Sequence, residues 1–223
     1  MSLLIDRSST QFEYGIDSPE QMQRWLERNP NAIGACFVGR SNVGKSSLIN
    51  SLFGNSTART SKTPGRTRQI NIFSFKLASN NQDETEELPK FYCLDLPGYG
   101  HAAVSHKMSQ NWEELLGTLF NKYPLGLTLI NIQDARHPNQ KSDVAFHQYL
   151  QSNLCETFLV FNKLDKLKTQ KLRSALNKQK PSLFKQYKWV KQIHFVSAEK
   201  NTGVTSLHDS LISRMMLMLN FQE

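Results

Sequence analysis

The chain has 223 residues, 39% of them hydrophobic, and 27 Lys and Arg against 19 Asp and Glu give a formal net charge of +8. That is enough apolar content for one sizeable core, and the length favours one domain over two. Cys36, Cys93 and Cys155 stand singly in or beside apolar runs without C-x-x-C spacing, the histidines form no ligand pattern, Met1 to Ile5 is too short for a secretory segment, and no run reaches ~18 apolar residues. This argues against a disulfide scaffold, a zinc site and a membrane span, and predicts a soluble, cytoplasmic protein with reduced core cysteines.

Ser18-Pro19-Glu20-Gln21 forms a capping box with Pro at the first helical position, so a short helix is predicted to run to Arg28, where Asn29-Pro30 ends it. Residues 1–31 read as an N-terminal extension containing this helix, ahead of a main domain over 32–223. The continuous apolar run from Ile33 to Val38 predicts a buried strand, and Ser47 to Phe53 predicts a helix. Between them, Gly39-Arg40-Ser41-Asn42-Val43-Gly44-Lys45-Ser46 fits G-x-x-x-x-G-K-[ST]; the strand before and the helix after make it a phosphate-binding loop. Main-chain N–H groups of such a loop close around a polyphosphate, and the helix N-terminus adds partial positive charge. Lys45 is placed to reach the β- and γ-phosphates, and the Ser46 hydroxyl to take a Mg²⁺ position.

Thr60 to Arg68 has no apolar periodicity and is rich in Thr, Gly and basic residues, with Arg59, Lys62, Arg66 and Arg68 forming a basic cluster. Thr67 and Thr63 compete there as a second protein ligand of Mg²⁺. Strands are predicted over Ile70 to Leu77 and Lys90 to Asp95, paired as an antiparallel hairpin across the polar, acidic insertion Ala78 to Pro89. The second strand ends in Leu94-Asp95-Leu96-Pro97-Gly98. An acid at that point suits an outer-sphere Mg²⁺ contact, and the Gly98 N–H can meet a γ-phosphate, so hydrolysis would release segments held only by that phosphate.

A helix over Met108 to Asn121, a strand over Leu127 to Ile132 and a helix over Asp143 to Gln151 follow. The strand Thr157 to Phe161 then runs into Asn162-Lys163-Leu164-Asp165, and strand ends of this kind line the ligand crevice of an open α/β sheet. A carboxylate there can accept from guanine N1–H and the exocyclic amine, a pair adenine does not offer, so Asp165 selects guanine. Lys163 would lay its stem along the base, and Asn162 would tie this loop to the phosphate loop. From Lys163 to Lys191, ten Lys and Arg accompany the single acid Asp165. In the helix after Thr169, Leu172, Ala175 and Leu176 are predicted inward and Lys171, Arg173, Lys178 and Lys180 outward, with Phe184, Tyr187 and Trp189 interleaved among later lysines. Such a face either attracts phosphate backbones or simply keeps a helix solvated. A last strand, Val190 to Val196, and a helix, Gly203 to Leu219, close the pattern; the stripe Leu207, Leu211, Met215, Met218 and Leu219 predicts core packing rather than a membrane anchor. Repeated β-α units imply an α/β three-layer sandwich: a mostly parallel sheet with one antiparallel strand and helices on both faces.

GRSNVGKS, TPGRT, DLPGYG, NKLD and the late Val196-Ser197-Ala198, with Asp134-Ala135-Arg136-His137-Pro138, resemble the EngB/YihA family of translation-factor-related GTPases from about Gly34 to the last helix. The resemblance implies a P-loop G domain over 32–223 that binds GTP and GDP with Mg²⁺ and hydrolyses GTP. It further implies a switch role in large-ribosomal-subunit assembly, with ribosomal RNA and proteins as partners, and a requirement in cell division and septation. It carries Gly65, Arg66, Thr67, Arg68 and Gln69 over as the switch segment, favours Thr67 beside Ser46 on Mg²⁺, and assigns the Ala198 N–H to guanine O6. Arg68 stands where the family usually has Gln. Lys45, Thr67 and Gly98 are the candidate catalytic groups, and the chain is expected to be monomeric, without stable membrane association.

Ras-like GTPases place a water-orienting Gln after D-x-x-G, where this chain has Tyr99. His101 and His106 are either general bases or exposed loop histidines, and Asn42 resembles the Asn of GTPases that use K⁺ beside the phosphates. Turnover is expected on the order of 10⁻⁴ to 10⁻² s⁻¹. The alternative function is a nucleotide-gated scaffold that binds division proteins, with hydrolysis incidental.

Overall fold

The computed structural model describes residues 3–55, 57–58, 69–79, 88–99, 106–122, 124–151 and 155–221, and for 106–112 the backbone alone. All of β2 (Gly34–Gly39) is buried, as an unbroken apolar run between two neighbours requires. It pairs in parallel with β4 (Phe91–Asp95) on one side and β5 (Leu127–Asp134) on the other. Beyond β5 lie β6 (Thr157–Asn162) and β7 (Val190–Phe195), again parallel. β3 (Ile70–Ser79) is antiparallel to β4, with Asn71 opposite Asp95, as the short spacing between these strands predicts. The seven strands follow the order β1-β3-β4-β2-β5-β6-β7, and β3 alone runs against the others.

The edge strand β1 (Leu3–Ile16) has no counterpart in the sequence expectations. It pairs antiparallel with β3 from Leu3 opposite Ser79 to Ile16 opposite Ile70, with a register shift between Asp6 and Gln11. Within that shift Arg7 Nη2 donates to Ser51 O at 2.6 Å and Thr10 Oγ1 to Phe53 O at 2.9 Å, which caps the last turn of α2 (Lys45–Phe53). The detour breaks the period-2 pattern by which a strand is read. α1 (Pro19–Arg28) follows. Ser18 Oγ accepts from the Gln21 N–H at 3.3 Å, but the Gln21 side chain accepts from the Asp17 N–H at 3.0 Å, one residue before the partner a capping box supplies.

α2 and α7 (Val204–Asn220) cover one face of the sheet, burying Leu48, Ile49 and Leu52 with Leu207, Leu211 and Met215; the α7 stripe is core. α1, α3 (His106–Asn121) and α4 (Lys141–Gln151) cover the other. That face is completed over β6 and β7 by α5 (Gln170–Lys178) and α6 (Lys180–Gln186). α5 buries only Leu176: Leu172, expected inward, is 50% exposed, and Ala175 faces solvent. Leu183 and Tyr187 fill the space over Val190 and Ile193 instead. Lys180 is half-buried, its ammonium 4.8 Å from the Phe195 ring centroid. The three cysteines are buried free thiols, and among the described residues no helix is long and apolar enough to cross a membrane.

Candidate nucleotide site

The carboxyl ends of β2, β4 and β6 bring three loops together. In the first, between Gly39 and Lys45, Asn42 and Gly44 adopt left-handed backbone with φ of 64° and 90°. Left-handed residues in a turn that feeds a helix N-terminus gather N–H groups into an anion-binding concavity. A Cβ on Gly44 would lie 2.5 Å from Asn162 Nδ2, so approach of the base loop requires glycine here. Lys45 Nζ forms an ion pair with Asp95 at the end of β4, and both side chains are largely buried. A cation for phosphate thus meets a carboxylate at the start of α2, whose first turn carries the Ser46 hydroxyl, and a carboxylate and a hydroxyl are oxygen donors of the kind that suits a hard cation such as Mg²⁺. Gly98 passes close to the same loop: a Cβ there would meet Ser41 Oγ at 3.0 Å and Gly39 O at 3.2 Å.

The base-side loop is organised by Asn162, 1% exposed at the end of β6. Its Nδ2 donates to Val43 O at 3.0 Å and Gly44 O at 3.3 Å, and its Oδ1 accepts from the Ala198 N–H at 3.1 Å. One amide therefore joins the phosphate loop, the base loop and the Ala198 turn. A guanine O6 reaching the Ala198 N–H would share it with Asn162. Leu164 N donates to Val196 O at 3.0 Å, and Ser197 Oγ donates to Asp165 Oδ1 at 2.6 Å. Burial acts to raise the Asp165 pKa, but the Ser197 hydroxyl and Lys166, 3.1 Å away, outweigh it and leave the carboxyl below its usual range. The result is an oriented, ionised acceptor suited to paired N–H donors.

Lys163, with φ of 67°, donates to Asn42 O and lies 3.1 Å from Asp134 Oδ2. Asp134 in turn accepts from the Arg136 N–H at 3.0 Å and from its guanidinium at 2.9 and 2.7 Å. Burial opposes ionisation of Asp134, yet Arg136 and Lys163 hold its carboxyl well below the ordinary carboxylate range. The D-x-R-H-P segment thereby steadies the lysine expected along the base, a role its spacing did not suggest.

Tyr99 is buried, and its hydroxyl donates to Asp143 at 2.9 Å. Asp143 read in sequence only as an acid near a helix start, and Asn131 only as part of an apolar strand. Their polarity inside otherwise apolar elements was the available signal. Gly65, Arg66, Thr67 and Arg68, with Arg59, Lys62, Thr63 and His101, lie outside the described residues, as does the His106 side chain. Gln69, last of the expected switch segment, donates through Nε2 to Asn71 Oδ1 at 2.9 Å.

A family model described as 50S ribosome-binding GTPase matches residues 34–163. A probable GTP-binding protein EngB of Photorhabdus laumondii is 36% identical over 180 residues, 80% of this chain and 80% of that protein. Its namesake in Thermotoga maritima is 37% identical over 181 residues, covering 81% and 85%. Among solved structures, a probable GTP-binding protein EngB is similar with a TM-score of 0.55 at 23% identity, over 82% of this chain and 98% of that one. Aquifex aeolicus Era, solved with GDP and AlF4⁻, gives 0.63 at 21% identity over 82% of this chain and 57% of that one; at such identities the likeness shows the fold. The P-loop fold, the three joined loops and these relatives agree, and the chain belongs to the EngB family of GTPases.

Proposed function

We propose that this GTPase is a nucleotide-timed switch in assembly of the large ribosomal subunit, and that cell division and septation depend on it through that role. The observation that carries the reading is the basic face of α5 and α6. Lys171, Arg173, Lys178 and Lys185 are exposed there, as are Lys188 just after α6 and, at 40%, Phe184, while Tyr187 is withdrawn into the core. Exposed cations and an accessible ring in one stretch of chain fit a phosphate backbone with an unstacked base. The family description names binding to the 50S subunit, which supports the same partner.

Gly39 to Ser46 would hold the phosphates. Ser46 and Thr67 would hold Mg²⁺, with Asp95, Leu96, Pro97 and Gly98 beside the γ-phosphate, and the ion would neutralise charge on the β- and γ-oxygens. Asn162, Lys163, Leu164 and Asp165, with Val196, Ser197 and Ala198, would hold guanine. Asn42 would help to place K⁺. The protein would act as a cytoplasmic monomer, with β1 of its N-terminal extension paired onto the sheet of the G domain.

The test is co-sedimentation with ribosomal subunits in a non-hydrolysable GTP analogue and in GDP. Binding should be tighter with the analogue and fall with salt by a log–log slope of about −0.7 to −0.9 per phosphate neutralised. Reversing Lys171, Arg173 and Lys178 to Glu should abolish most of it without changing GTP affinity. Undiminished binding by that triple variant would move the ribosomal contact elsewhere.

A further inference from the structure

The residue after Gly98 is held at both its backbone and its side chain. The Tyr99 N–H donates to Gly39 O at 3.2 Å, and the Tyr99 carbonyl accepts from the Ser41 N–H at 3.4 Å, so β4 extends its pairing along the phosphate loop. The Tyr99 ring stacks on Phe146 of α4, centroids 4.7 Å apart and planes 16° from parallel. Its hydroxyl donates to Asp143 Oδ1 at 2.9 Å and accepts from Asn131 Nδ2 at 3.1 Å. Burial, reinforced by the Asp143 charge, pushes the phenol well above its ordinary pKa, so it stays a donor.

Asp143 is completely buried. Besides Tyr99 it accepts from the Gln140 N–H at 2.9 Å and from Arg40 Nε, 2.9 Å from each oxygen, while Arg40 Nη2 donates to His137 O at 2.9 Å. One carboxylate thus grips the second residue of the phosphate loop and the residue that follows Gly98. Burying an ion pair contributes little net stability compared with apolar packing of the same volume, but it fixes geometry. The geometry fixed here is the separation between the phosphate loop and the Gly98 peptide.

We propose that Asp143 is a positioning residue for the GTPase reaction: through Arg40 and Tyr99 it holds the Gly98 N–H at the mouth of the phosphate loop, so that a γ-phosphate meets a donor already in place. This rests on the reading that the Gly98 N–H meets that phosphate. A preorganised donor favours the triphosphate and the charge developing in its transition state, and does nothing for GDP. The position taken by a water-orienting Gln in Ras-like enzymes therefore serves here to anchor the segment.

Tyr99→Phe keeps the ring on Phe146 and the backbone bonds and removes only the hydroxyl. It should weaken a non-hydrolysable GTP analogue about fivefold to tenfold while leaving GDP within about twofold. Arg40→Lys, which keeps the charge and loses the two-oxygen grip, should shift the same ratio in the same direction. Leu150→Ala, which loosens α4 packing away from Tyr99 and the carboxylate, should lower the melting temperature and leave the ratio unchanged. Gly98→Ala tests the underlying reading, because its Cβ disturbs the donor itself; an unchanged ratio in that variant would overturn the γ-phosphate contact. If Gly98→Ala lowers the ratio but Tyr99→Phe and Arg40→Lys do not, or if Leu150→Ala lowers it equally, the carboxylate is structural only and the positioning role is refuted.

Discussion

Replacing Asn162 by Ala removes a side chain that joins the phosphate loop, the base loop and the Ala198 turn. Three hydrogen bonds go: two to the carbonyls of Val43 and Gly44 and one from the Ala198 N–H, at 3.0, 3.3 and 3.1 Å. At about 1 kcal/mol net each they amount to about 3 kcal/mol, and stranding the Val43 carbonyl beside a side chain only 1% exposed adds a further ~1–2 kcal/mol. A loss of about 4 kcal/mol is a large share of the ~5–15 kcal/mol that ordinarily holds a domain together. Asn162→Asp is the sharper variant. It has nearly the same shape and keeps an oxygen for Ala198, but it sets a carboxylate against two carbonyls, so it should be at least as destabilising as Ala. Urea denaturation gives the stability change, and fluorescent-nucleotide titration should show GTP and GDP weakened together by more than tenfold. If Asn162→Ala has the parent's denaturation midpoint and nucleotide affinities, the amide does not couple these loops and the account of the site fails.

Asp165→Asn should lose GTP affinity at least tenfold, from charge-assisted bonds of about 1.5–3 kcal/mol apiece, and gain affinity for xanthosine nucleotides; competition binding with the two triphosphates checks this. Replacing Na⁺ by K⁺ at constant ionic strength should speed GTP hydrolysis, and Asn42→Ala should abolish the difference while GDP binding persists. Equal rates in both salts would dismiss the ion. His147 and His194 are both lowered to about 4 by burial, with Lys180 adding to the effect at His194. The unfolded chain takes up these protons below about 6.5 while the folded chain does not, so stability present above that pH should drain away between about 6.5 and 4. For the fully buried His147 the loss is on the order of 3 kcal/mol. His147→Phe, which keeps a ring against Tyr187, should flatten the slope of denaturation midpoint against pH.

The nucleotide boxes are legible because their chemistry is local: each is a short polar string at the end of an apolar strand, and strand ends converge in an open α/β sheet. The six strands from β2 to β7 were readable for the same reason, as apolar runs between turn signals. β1 was not, because Arg7 and Thr10 leave the ladder to cap α2, and no window of sequence shows what they reach. Leu172 misled because a helix pattern gives a face but not what lies opposite it. The carboxylate grip was hidden by separation: Arg40 is 103 residues from Asp143, and Tyr99 is 44. Each reads locally as something ordinary, a basic loop residue, a helix-start acid and a turn tyrosine.

The dependence of β1 on later elements has a consequence for biosynthesis. Its ladder with β3 needs Ser79 opposite Leu3, and the Ile5 N–H finds its acceptor, His208 Nε2 at 3.3 Å, 203 residues downstream. At about 5–20 residues per second, the ribosome takes roughly 10–40 s to supply that last partner after Ile5 has been made. Until β3 is made, a β-competent segment with Leu3, Leu4 and Ile5 at one end and Phe12, Tyr14 and Ile16 at the other awaits its place. The charged and hydroxylated Asp6 to Thr10 stretch between them interrupts what would otherwise be a long sticky edge, so the feature that disguises the strand in the sequence also guards it from pairing with other nascent chains.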